Sequence, residues 1–305
     1  MSATLRRSTL CMVLAAACWG FATVMSKGVL AYIPPLTLLV VQLTASIASL
    51  WIVIFAGRVR IHLDRRFLWP ALFGLLEPGL DHTLSLIGLT WTTASMSTLI
   101  WDIEPIIIIG LALVILREHL TWPLLIFSVV AISGVVLVAG VNTNVQGNTV
   151  LIGNLLVLAG VFCCSLYTVL TRRVVSTLET LPLVALQQTV AWVWALVIWP
   201  TELLHGAIPN LSSISTIGWG WAALSGVLYY AAAYLFYISG LKKTPASFAG
   251  FYFNLIPIFG VTGAYLFLGE RLIAAQWLGA VLILFSVGSM FWLQRGETTL
   301  VTAYT

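Results

Sequence analysis

Charge is what this sequence has least of. Of 305 residues, 14 are Lys or Arg and 10 are Asp or Glu, so only 8% are charged. Soluble domains carry about 25%. So few charges cannot cover the surface of a globular chain of this length. A water-soluble fold is therefore excluded, as are a disordered chain, a collagen-like fibre and a nucleic-acid-binding protein. Cysteine is scarce too. Cys11, Cys18, Cys163 and Cys164 all lie inside apolar runs, which predicts no disulfide and no CxxC metal site; they read as small apolar packing residues. Polar connectors are few, the clearest at 58–66, 141–149 and 201–215. HExxH, a Walker A loop, a dinucleotide fingerprint and GxSxG are all missing, so no metal, cofactor or ATP hydrolysis is expected.

Hydrophobicity is what the sequence has in excess. Apolar residues make up 60% of it, and they gather into ten runs, at about 9–32, 34–56, 67–88, 91–115, 120–140, 150–171, 180–200, 215–239, 245–268 and 272–294. A helix crossing some 30 Å of hydrocarbon needs roughly 20 such residues. None of the runs alternates with a period of two, which argues against barrel strands. The first follows Arg6 and Arg7 but is too long for a cleavable leader, and no small-x-small site follows it. The expected fold is an all-α polytopic membrane protein with ten transmembrane helices, its partner the lipid bilayer.

Lys and Arg set the orientation. With the N-terminus in the cytoplasm, Arg6, Arg7, Arg58, Arg60, Arg65, Arg66, Arg117, Arg172, Arg173, Lys242, Lys243 and Arg295 are inside. Only Arg271, and Lys27 near the outer part of the first run, fall on the other side. This asymmetry accounts for the net charge of +4 without an anionic partner. It places both termini in the cytoplasm and the protein in the cytoplasmic (inner) membrane.

The chain repeats itself. Residues 88–120 align without gaps on 240–272, with eleven identities in 33 positions. Gly88-Leu89, Ala94-Ser95, Pro105-Ile106 and Glu118 face Gly240-Leu241, Ala246-Ser247, Pro257-Ile258 and Glu270. Trp19–Lys27 likewise resembles Cys164–Arg172. The halves are residues 1–145 and 146–305, with five helices each. Five is odd, so the second half enters the membrane inverted; accordingly 88–92 is uncharged, while its mate 240–244 carries Lys242 and Lys243. Inverted repeats place a substrate site near the bilayer midplane, between the halves.

These residues resemble the drug/metabolite transporter superfamily, EamA type. The matching features are Cys18-Trp19-Gly20 with Lys27, Gly88-Leu89 with Thr93-Ala94-Ser95, the mid-helix Pro105 and Pro257, the acids Glu118 and Glu270, and Leu166–Arg173. The resemblance covers about residues 8–294. It implies a central cavity lined by helices 1, 3, 4, 6, 8 and 9, and alternating access. It leaves the substrate open among amino acids, other metabolites, drugs and nucleotide-linked sugars.

Five ionisable residues lie inside the third and fourth runs: Glu77, Asp81, His82, Asp102 and Glu104. Four lipid-facing acids would cost on the order of 10 kcal/mol, so they must face protein or water, or be protonated. Glu77 and Asp81, four apart, are expected on one helix face. Glu77 and Glu104 each precede a proline and could instead cap a bend. The repeat sets Tyr229, Ala233 and Tyr234 against Glu77, Asp81 and His82, and Asn254 against Asp102. One wall is therefore expected to be acidic and the other aromatic. Trp19, Asp81, His82, Trp101, Asp102, Tyr230, Tyr234 and Asn254 are the expected substrate contacts. Glu77, Asp81, Asp102 and Glu104 are the expected proton carriers, since burial favours a neutral carboxyl. Such walls suit a small amine-bearing solute such as an amino acid, carried by proton-coupled exchange or export. A carrier for another metabolite or drug, without proton coupling, and an intramembrane protease using Asp81 and Asp102 are the alternatives; for the protease, no GxGD pattern is present. Monomer and homodimer are both open.

Overall fold

In hydrocarbon every backbone N–H and C=O must be paired within the protein, and a helix does this locally. The computed structural model describes residues 3–30, 32–59, 65–89, 91, 100–101, 103–118, 121–139, 148–204, 214–268 and 274–303, and among them it is helical throughout, with no strand. We label the helices α1 (Ala3–Val29), α2 (Pro35–Ala56), α3 (65–89), α4 (Glu104–Leu116), α5 (Trp122–Ala139), α6 (Asn148–Val175), α7 (Thr180–Leu204), α8 (Thr216–Leu241), α9 (246–268) and α10 (Ala274–Ala303). Stretches of α1, α2, α6, α7 and α8 are long and apolar enough to cross a bilayer, and α4, α5, α9 and α10 hold shorter apolar stretches. With the interrupted α3 they correspond to the ten expected spans. The protein is an all-α, multi-pass membrane protein. Its surface fits: Val114, Trp122 and Leu204 are 79%, 79% and 83% exposed, while Gln42, Ser46, Thr168, Gln187 and Ser225 are buried. Polar groups point inwards and apolar ones towards lipid.

The halves interlock rather than lie side by side. α1 packs on α8 and α9 of the second half, and α6 packs on α3 and α4 of the first; α2 packs on α7, and α5 on α10. α2 and its mate α7 are antiparallel. Thr37 meets Glu202 and Trp199, Thr44 accepts from Trp192, and Thr189 accepts from Trp51. Mates that run antiparallel are the inversion expected from the sequence.

Small residues seal these contacts, and they do so in symmetric pairs. A Cβ on Gly74 would sit 1.9 Å from the Gln187 carbonyl oxygen, and one on Gly226 would sit 2.4 Å from that of Gln42. Gly88 abuts the Gly153 carbonyl oxygen as Gly240 abuts that of Ser8. The pairs exchange under the same offsets that align the sequence halves.

Two helices are interrupted at equivalent places. In α3, Glu77 (φ −140°, ψ 120°) and Pro78 (φ −94°, ψ 20°) leave the helix, which resumes at Asp81. Proline has no N–H and pushes the preceding residue into the extended region. In α8 a wide π-type turn occupies Val227–Ala232. Such turns recur at functional sites because they re-aim side chains.

Candidate functional site: a cavity between the halves

A cavity of about 310 Å3 lies between the two halves, at the small end of the usual range for ligand pockets. Its lining comes from α1, α3, α4, α6, α8 and α9, with Val135 of α5 and Trp101 just ahead of α4. Glu77, Glu104 and the imidazole of His82 form its ionisable part, and Cys164 and Thr168 face it from α6. Trp19, Tyr167, Tyr229, Tyr234, Tyr237 and Phe253 supply aromatic surface. Among the described residues no Lys or Arg lines it.

The break in α3 decides how the acids are presented. Glu77 is not one helical turn below Asp81 on a regular face, as the spacing of four had suggested; its backbone is extended there. Its Oε1 accepts a hydrogen bond from the Tyr234 hydroxyl of the opposite half. Asp81 is fully buried one layer behind the cavity wall, with Oδ2 2.7 Å from Nδ1 of His82. The two atoms make an ion-pair contact without hydrogen-bond geometry. His82 faces the cavity while Asp81 lies against its ring from behind. The ring stands edge-on to Tyr229, with centroids 5.5 Å apart, and packs on Tyr230. Glu104 accepts from the Cys164 thiol at 3.1 Å.

The aromatic part is a packed cluster around Trp19. Its ring lies 5.4 Å from Tyr234 and Tyr237 and 5.5 Å from Phe253. The Tyr237 hydroxyl donates to Thr168 Oγ1 at 2.8 Å, and that of Tyr167 to Gln187 Oε1 at 3.0 Å. Asn254 lines the cavity and donates its amide hydrogen to the Phe251 carbonyl at 2.8 Å.

Of the expected substrate contacts, Trp19, His82, Trp101, Tyr234 and Asn254 line the cavity, with Glu77 and Glu104 of the expected proton carriers. Asp81 and Tyr230 stand behind the wall. Asp102 and Glu270 lie outside the described residues, as does the Lys27 side chain. Tyr229 lines the cavity where Tyr230 was expected; both lie within the π-type turn of α8. Cys164 is no mere packing residue, since its thiol reaches a cavity carboxyl. It could have been found by carrying Trp19 across the repeat, whose offset in α1 and α6 lands on Cys164. Glu118 ties two helix ends together: its carboxylate accepts from the Ala246 and Ser247 N–H groups and the Ser247 hydroxyl, at 2.8, 3.1 and 2.7 Å. It thereby caps α9 from the opposite half.

Fold and site together define a multi-pass membrane protein with a solute-sized, largely aromatic cavity between two inverted halves. The chain belongs to the EamA-like transporter family, which matches it twice, over residues 6–140 and 151–292. The protein is thus a transporter of the drug/metabolite type. It is 28% identical over 291 residues to the uncharacterized transporter YvbV of Bacillus subtilis (strain 168), covering 92% of this chain and 90% of that one. To the uncharacterized transporter YyaM of the same organism it is 27% identical over 208 residues, covering 68% and 67%. A protein of known crystal structure superposes with a TM-score of 0.80 over 95% of this chain and 98% of its own, at 16% identity, a likeness of fold.

Proposed function

We propose that this transporter is a secondary carrier for a small amine-bearing metabolite such as an amino acid, working as an exporter or exchanger. It moves its substrate by alternating access between the halves, with protons carried on the cavity acids. The observation that carries this reading is the pairing of Glu77 and Glu104 with an aromatic wall in a cavity whose described lining holds His82 but no Lys or Arg. An ammonium group would be held by a carboxylate and its apolar body by rings. Cation–π contact adds about 0.5–2 kcal/mol.

Glu77 offers a route to coupling. A bound ammonium, a proton and the Tyr234 hydroxyl all seek the same carboxylate, and Tyr234 belongs to the other half. Occupation of Glu77 therefore changes a contact between the halves. The Lys and Arg distribution supports placing both termini in the cytoplasm of an inner-membrane protein. On that placement the Glu118–α9 cap closes the cytoplasmic end.

A thermal-shift screen of the purified protein over a metabolite library, at acidic and at neutral pH, tests the substrate class, because a ligand that binds the folded state raises its melting temperature. Amines that stabilise more at neutral than at acidic pH are expected. Stabilisation confined to anionic solutes without an amine would overturn the reading.

A further inference from the structure

Two carboxylate oxygens and one sulfur meet beside the cavity. One carboxylate oxygen from Glu77, one from Asp81 and the Cys164 sulfur all lie within 4.8 Å of one another. Glu77 and Asp81 are 3% and 0% exposed. Glu77 Oε2, both Asp81 carboxylate oxygens and His82 Nδ1 are buried with no hydrogen-bond partner among the described residues. Two further groups border them: His82 Nδ1 is 2.7 Å from Asp81 Oδ2 and 3.8 Å from Glu77 Oε1, and Glu104 accepts the Cys164 thiol.

Two buried carboxyls this close cannot both stay charged without a cation or a proton between them. The thiol decides which cation suits. Carboxylates alone favour hard ions such as Mg2+ or Ca2+, whereas a thiolate with carboxylates and a nearby imidazole favours a borderline or soft one. Around Zn2+, with Zn–O near 2.0–2.2 Å and Zn–S near 2.3 Å, ligand atoms stand roughly 3.5 Å apart. Small side-chain rotations would bring the three atoms to that spacing.

We infer that Glu77, Asp81 and Cys164 form a binding site for a thiophilic divalent cation of the Zn2+ or Cd2+ type, bordered by the His82 imidazole. The ion enters through the cavity, which Glu77 and Cys164 both line. As the metal–sulfur and metal–oxygen bonds form, the Cys164 thiol proton and the proton shared by the two carboxyls leave to solvent through the cavity. This inference does not rest on the amine reading, because metal binding is read on the purified protein without any transport.

The probe is Cd2+, titrated into the metal-free, full-length protein in detergent while the ultraviolet thiolate-to-cadmium charge-transfer band is followed. One saturable Cd2+ per chain is expected. The band should vanish in Cys164→Ser and persist in Cys163→Ser. The affinity should fall at least tenfold in Glu77→Gln and in Asp81→Asn. Thermal melts identify any variant that fails to fold. Independently of all variants, X-ray absorption at the cadmium edge of the wild-type protein should show one sulfur with oxygen or nitrogen neighbours. No band in the wild type, a band unchanged in Cys164→Ser, affinities unaltered in both acid variants, or a shell without sulfur would each overturn the inference. The carboxyls would then be held by a shared proton instead.

Discussion

The hydroxyl of Tyr234, in the second half of the chain, donates to Oε1 of Glu77, in the first. Both groups are buried, so each depends on the other for satisfaction. Tyr234→Phe removes the donor and leaves Glu77 with less compensation at no change in packing volume. A loss of about 1–3 kcal/mol in stability is expected, together with a loss of transport. Glu77→Gln keeps an acceptor for Tyr234 and should melt close to wild type while losing proton dependence. Thermal melts and proteoliposome uptake of the same two variants check this split.

Trp19 makes ring contacts with Tyr234, Tyr237 and Phe253. Trp19→Ala should weaken binding of an amine ligand by roughly 10–100-fold, and Trp19→Phe by less, since a ring survives to meet an apolar or cationic group. Isothermal titration with a ligand from the thermal-shift screen measures both.

Glu118 ties α9 to the opposite half through three hydrogen bonds. Glu118→Ala should cost about 1 kcal/mol of helix capping and open that end of the molecule more often. Spin labels at Arg117→Cys and Lys243→Cys, in a background lacking the native cysteines, should report a longer or broader distance distribution in the variant. An unchanged distribution would mean that the cap serves stability alone.

The glycine pairs predict a contrast within one residue type. Gly74→Ala and Gly226→Ala both force a methyl into the backbone of a facing helix and should destabilise by about 1–3 kcal/mol or more. A Cβ at Gly110 meets nothing within 4 Å, so Gly110→Ala should be neutral or stabilising by up to about 1 kcal/mol. Melting temperatures of the three variants decide the matter.

The spans and the inversion were legible because lipid forces long apolar runs and because the second half repeats the first. Glu77, Glu104, Trp19 and Trp101 were legible as cavity residues because charge and large rings in mid-helix have few other uses. Finer placement was not, because both interruptions break simple periodicity. Pro78 carries Glu77 out of the helix, so the spacing of four no longer places it on one face with Asp81. Within the wide turn at Val227–Ala232, Tyr229, the repeat mate of Glu77, lines the cavity and the expected Tyr230 does not. Cys164 was hidden by composition: a cysteine in an apolar run reads as packing until a carboxylate is found opposite it.

The central claim is that cavity carboxyls carry protons in exchange for an amine-bearing solute. The most direct measurement is uptake of such a solute into proteoliposomes under an imposed pH gradient, for the wild type and for Glu77→Gln, Glu104→Gln, Asp81→Asn and Asp102→Asn. The wild type should accumulate solute in response to the gradient. At least one of the acid variants should still exchange solute yet ignore the gradient. A response to the gradient that is unchanged in all four variants would contradict the account.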